Sequence, residues 1–106
     1  MNDFDIIILE SGIKLKIFRD EDYLSFEDAK ANCDSSIESY RLPTKSELKE
    51  MFQHKDKILY FATGYTSYWS NELDFKGNPT FLIGTGDFGI STSENEKCHT
   101  RYVKTM

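Results

Sequence analysis

The stretch Tyr40-Arg41-Leu42-Pro43-Thr44-Lys45-Ser46-Glu47-Leu48-Lys49-Glu50-Met51-Phe52 constrains the fold more than any other. Thr44 and Glu47 have capping-box spacing. The Thr44 hydroxyl is placed to accept from the Glu47 amide, and the Glu47 carboxylate to accept from the Thr44 amide. Pro43 cannot donate a hydrogen bond, and it biases Leu42 towards an extended conformation. An extended segment should therefore enter, stop at Pro43 and turn into a helix at Thr44. Leu48, Met51 and Phe52 follow at i, i+3 and i+4, one face of a helix, while Lys49, Glu50 and Gln53 fall on the other. His54, Lys55 and Lys57 crowd the far end, where cations suit the helix dipole. The spacing predicts a helix over about 44–55.

A chain of 106 residues is expected to form a single domain over 1–106. Its formal charge of −5 argues against a phosphate-backbone binder, so no nucleic-acid partner is expected. The apolar run Ile6 to Leu9 follows two aspartates, unlike a signal peptide. No stretch approaches a membrane span, so no membrane partner is expected and a cytoplasmic location is. Cys33 and Cys98 are the two cysteines, His54 and His99 the two histidines. None of these has zinc-ligand spacing, and neither a metal nor a cofactor is expected. In the cytosol two free thiols are the default. Cys98 beside His99 invites a nucleophile reading, but neighbouring strand residues point to opposite faces.

In chain order, Asp5–Leu9 and Ile13–Phe18 read as a hairpin around Gly12, with Ile13, Leu15 and Ile17 on one face of the second strand. Arg19-Asp20-Glu21-Asp22 reads as a solvated connector; it lacks calcium-loop spacing. Ser25 and Asp28 open another helix, with Leu24 stapled onto Ala29, which ends near Asp34-Ser35-Ser36. Phe26, Ala29 and Cys33 share its inner stripe, with Lys30 at the edge. From Ile58 to Trp69 the chain is dense in aromatics (Tyr60, Phe61, Tyr65, Tyr68, Trp69). Without basic neighbours they are expected to pack rather than to stack on bases. Tyr68–Asn71, Thr80–Ile83, Phe88–Thr92 and Cys98–Lys104 read as strands, and Gly77-Asn78-Pro79 as a turn. Gly84-Thr85-Gly86-Asp87-Phe88-Gly89 spells G-x-G-x-x-G, but a strand follows where a dinucleotide site needs a helix. Arg41 and Arg101 flank core elements, and Glu47, Glu38 and Asp34 are candidate ion-pair partners.

Arg41-Leu42-Pro43-Thr44-x-x-Glu47-Leu48, Tyr68-Trp69-Ser70 and Arg101-Tyr102-Val103-Lys104 resemble the Lcl C-terminal domain family, with its R-L-P-T-x-x-E-L, Y-W-S-S and closing R-C-V-R signatures. Phe26 to Cys33 is similar to that family's first helix. The resemblance covers about residues 13–104 and implies an α+β, C-type-lectin-like fold. Two helices would pack on a twisted, mainly antiparallel sheet, with a long loop region between Leu73 and Ile90. The chain has Tyr102 where the family has its closing cysteine, so a Cys33–Cys98 disulfide would need a local shift. The calcium motifs of true C-type lectins and the catalytic cysteines of formylglycine-generating enzymes have no match.

The expected function is therefore non-enzymatic: an interaction module that binds a protein partner through its loop region, as a small phage or bacterial inhibitor or accessory protein does. Leu73–Phe88 is the candidate surface, with Phe75, Asn78, Phe81, Asp87 and Phe88 as partner-binding residues and the three phenylalanines taken as exposed. A glycan-binding lectin-like module is the alternative, and self-assembly into a homo-oligomer the second.

Overall fold

Three short segments share one turn. In each, a glycine at positive φ (Gly12 at 91°, Gly77 at 84°, Gly86 at 99°) closes a three-residue hairpin loop. The glycine amide donates back three residues, to Leu9, Asp74 or Ile83. The amide of that residue donates across to the residue after the glycine, Ile13 at 2.8 Å, Asn78 at 2.8 Å and Asp87 at 2.7 Å. The computed structural model describes residues 4–34, 40–58, 61 and 66–106, with backbone alone at 19–21.

These turns lay out most of a six-stranded sheet in the order β1-β2-β6-β3-β4-β5. Its strands are β1 (Phe4–Ile8), β2 (Lys14–Ser25), β3 (Ser67–Leu73), β4 (Pro79–Ile83), β5 (Phe88–Ile90) and β6 (Lys97–Thr105). All neighbours are antiparallel except β3 and β6. The chain is thus a compact α+β domain with, among the described residues, two helices, α1 (Phe26–Asp34) and α2 (Lys45–Gln53). A single 3-10 turn, Lys55–Lys57, follows α2.

The capping box of α2 forms as the sequence predicts. Glu47 N–H donates to Thr44 Oγ1 at 3.0 Å and Thr44 N–H to Glu47 Oε1 at 2.9 Å. The first turn of the helix has further partners. Arg41 grips both oxygens of Glu47 at 2.6 and 2.8 Å, and the Lys45 amide donates to Glu72 Oε2 at 2.6 Å. Burial alone would raise the Glu47 carboxyl, but the hydrogen bonds from Arg41 and Thr44 outweigh it and hold it below the usual range. Leu48 and Met51 are fully buried, each contributing about 2 kcal/mol by removal from water.

The segment leading into α2 belongs to the sheet. β3 and β6 meet in parallel at Tyr68 and His99. Nearby, Arg41 exchanges backbone hydrogen bonds with Val103 of β6 at 2.9 and 2.8 Å, and the Asn71 amide of β3 donates to Pro43 O at 2.8 Å. Arg41-Leu42-Pro43 thus bridges β6 and β3, and Pro43, which has no amide to offer, serves as an acceptor.

Alternation along the strands gives two cores on opposite faces. Tyr68, Leu82 and Val103 join Leu15, Ile17, Leu48 and Met51 on the α2 side. Trp69 and Tyr102 join Ala29, Leu42 and Cys98 on the α1 side, with Phe81 packed against them. Helix α1 begins as expected, with the Asp28 amide donating to Ser25 Oγ at 3.2 Å. The Tyr102 hydroxyl accepts from Asn32 of α1 at 3.1 Å and donates to Asp22 of β2 at 2.9 Å. Cys33 and Cys98 are free thiols.

Three expectations are corrected. Residues 73–90 are not a long loop: β4 and β5 run through them, and the loops are the two tight turns. The Arg19–Asp22 stretch is not a connector. It lies within the twelve-residue strand β2, which continues past a bulge between Ile17 and Glu21 to pair with β6. Acidic composition suggested solvent, yet pairing with a strand some 80 residues away, Glu21 opposite Arg101, decides the backbone. Its side chains at 19–21, together with Ser35, Ser36, Glu38, Tyr60 and Tyr65, lie outside the described residues. Ile13 falls outside the buried face assigned to it and is 46% exposed.

Candidate docking surface

Asp74 locks the turn between β3 and β4. Its Oδ1 accepts from the Lys76 amide at 2.9 Å and the Asn78 amide at 2.8 Å, an Asx-type closure inside the hairpin loop. These bonds, that from Asn78 first, hold the Asp74 carboxyl below its ordinary range. Four hydrogen bonds therefore fix five residues. On this rigid loop Phe75 is 93% exposed, with Leu73 also exposed beside it.

The same turn walls a groove of about 380 Å³. Gly77, Asn78 and Pro79 form one side, Phe26 and Glu27 at the start of α1 another, and Ser91 to Glu94 after β5 the third. Trp69 closes the floor. Its Nε1–H donates to Leu24 O at 2.8 Å, and Phe26 and Phe81 meet its indole edge-on at 5.5 and 5.8 Å. The Ser91 amide donates to Pro79 O at 2.8 Å and its hydroxyl to Ser93 O at 3.1 Å, so the third wall is anchored to the hairpin. Among the described residues, the lining carries two carboxylates, Glu27 and Glu94, and no lysine or arginine.

The five residues singled out from the sequence do not converge. Phe75 and Asn78 stand together, Phe75 at the tip and Asn78 on the groove wall. Asp87 and Phe88 lie beyond the other end of β4. Asp87 is exposed there and accepts from the Thr85 hydroxyl at 3.4 Å. Phe88 packs on the α2-side core, with Lys45 Nζ 5.0 Å from its ring centre. Phe81 is half-buried against Trp69 and covers Gly89, where an added Cβ would come within 2.7 Å of its ring. Of the three phenylalanines taken as exposed, Phe75 alone is. Strand alternation sends Phe81 and its neighbour Leu82 to opposite cores, and Phe88 follows Leu82, its cross-strand partner. Sequence reasoning missed Glu27 and the Ser91–Glu94 wall. Their signal was weak, a polar run after a strand, because only sheet pairing brings them to Trp69.

The glycine motif Gly84–Gly89 is a turn between two strands. Cys98 is fully buried, and burial pushes its thiol up to about 11, so it stays protonated at neutral pH. His99 packs between Tyr23 and Tyr68 at 5.2 and 5.7 Å. Arg101 is fully buried, with Nη1 donating to Phe18 O at 3.3 Å. Phe61 stacks on Tyr68 at 4.6 Å. Among the described residues, no cluster of three histidine, cysteine or acidic side chains could hold a metal ion, and no helix is long and apolar enough to cross a membrane. In comparisons by sequence, no family model and no curated protein matches the chain.

Proposed function

We propose that this chain is a non-enzymatic interaction module that binds a protein partner, with Phe75 as the anchor and the adjoining groove as its flank. The carrying observation is a phenylalanine 93% exposed on a turn whose backbone is already fixed. Such a residue contributes nothing to the chain's own core. Burying it in a partner would gain about 2–3 kcal/mol, and a preorganised loop loses little entropy on binding. Glu27 and Glu94 favour a partner whose apolar pocket is bordered by lysine or arginine. The R-L-P-T-x-x-E-L motif at the entry to α2 and Tyr68-Trp69-Ser70 on β3 support reading the domain as C-type-lectin-like and similar to the Lcl C-terminal domains. A small bacterial or phage inhibitor or accessory protein acting in the cytoplasm is the role that fits. Glycan binding has less support, because the groove beside Phe75 offers a sugar no open ring of its own: Trp69 at its floor is 1% exposed.

A photo-crosslinking benzoylphenylalanine at position 75, expressed in the source cell, tests the proposal. The expected result is one discrete protein adduct, absent when the probe replaces Lys49 on α2 and weakened by Glu94→Lys. No adduct from position 75, or the same adducts from both positions, would sink it. Retention on a sugar array would move the reading to the glycan alternative.

A further inference from the structure

Independently of the hairpin tip, we infer that β1 pairs with β1 of a second copy of this chain, antiparallel, about a two-fold axis through Ile6. β1 ends the sheet, and among the described residues no strand lies on its outer side. The Leu9 amide donates to Ile13 O at 2.8 Å, so the odd-numbered residues direct their backbone groups at β2. Phe4, Ile6 and Ile8 therefore turn theirs outward. The side chains of these same three residues share the face opposite Ile7. Ile6 is 45% and Ile8 62% exposed.

Three of the usual protections of an edge are missing here: β1 has no proline, no lysine and no bulge. Its one charged residue, Asp5, is on the other face and interacts within its own chain. The strand is also self-complementary. An axis at Ile6 sets Ile6 against its copy and Phe4 against Ile8, so every outward backbone group meets a partner and every facing side chain is apolar. Behind this apolar stripe, Lys16 pairs with Ile6 and Lys14 with Ile8, and Lys104 lies beside Lys16. The lysines thus form a polar rim on each side of an apolar centre, the pattern of a protein interface.

Five residues of edge bury less than the roughly 800 Å² per partner of a stable complex, so the association should be weak, with a dissociation constant on the order of 100 µM. Sedimentation of the intact chain from about 10 µM to about 1 mM would span that value. The expected result is a rise towards twice the monomer mass that Ile6→Lys abolishes and Phe75→Ala leaves intact. The Ile6 and Ile8 amides should gain protection from hydrogen exchange as concentration rises, a readout that needs no variant. Monomer at the highest concentration overturns the inference, as does a dimer that survives Ile6→Lys in a folded protein. Protection of those amides only on adding an acidic peptide such as oligo-glutamate also overturns it, in favour of a foreign strand drawn by Lys14, Lys16 and Lys104.

Discussion

The turns at Leu9–Ile13 and Asp74–Asn78 have the same backbone and opposite uses. Both close on a glycine at positive φ with matching hydrogen bonds. In the first, the residue after the opening position is Glu10, whose amide donates to Glu50 Oε1 of α2 at 2.7 Å. That turn is tied to the body of the protein. In the second, the equivalent residue is Phe75, which touches little of its own chain, and the tie is internal, through Asp74. One turn secures a hairpin to a helix, while the other secures itself and offers a side chain outward. Backbone chemistry makes the scaffold in both, and what lies beside the turn, the Glu50 carboxylate in one and solvent around Phe75 in the other, decides whether it serves folding or contact.

The largest expected effect removes the floor beneath the second turn only. Trp69→Ala should cost about 3–5 kcal/mol in denaturant unfolding, and the groove should lose its shape while the first turn keeps its bonds to α2. A loss under about 1 kcal/mol would mean that Trp69 does not support the hairpin. Next come the glycines. Gly12→Ala and Gly77→Ala have open space at the new Cβ, so each should cost only the positive-φ penalty, about 1–2 kcal/mol. Gly86→Ala would also press within 3.0 Å of the Phe52 ring and should cost more. Equal losses at Gly12, Gly77 and Gly86 would show that Phe52 swings aside freely.

Acid should separate the two turns further. The Asp74 carboxyl is depressed in the folded chain, so its contribution is complete above the unfolded value of about 3.9 and is lost as pH falls through the lower folded value. Amide signals of Lys76 and Asn78 should shift and exchange faster with a midpoint below that of an ordinary aspartate. A midpoint at the ordinary value would mean that Asp74 does not lock the loop. The smallest stability effect is at the tip. Phe75→Ala should change unfolding by no more than about 0.5 kcal/mol, while abolishing crosslinking to the partner. A loss well above that would show that the ring packs on its own protein.

How much could be read beforehand follows from the range of each interaction. Helix α2 was legible to within a residue or two because Thr44, Pro43 and Glu47 act on one another across a few bonds. The β1–β2 hairpin was legible through Gly12, and α1 through Ser25 and Asp28. Strands β4 and β5 were seen as short runs, yet the resemblance placed a long loop over them. The length of β2 was hidden because Asp22 and its neighbours have the composition of a loop and are strand only by pairing with β6. Of the candidate site, Asn78 was found from turn chemistry and Phe75 as an aromatic of the region read as a loop. Phe81 and Phe88 were misjudged because exposure depends on which face a strand presents to which helix.

By itself, then, the sequence determined the caps and the turns at Gly12 and Gly77, since φ preference and neighbouring hydrogen bonds act locally whatever the rest of the chain does. Tertiary structure alone decided that the last strand lies between β2 and β3, that Arg41-Leu42-Pro43 bridges it to β3, and that Ser91–Glu94 meets Glu27 over Trp69. Those juxtapositions depend on hydrogen bonds and packing between segments far apart in the chain, which no local pattern records.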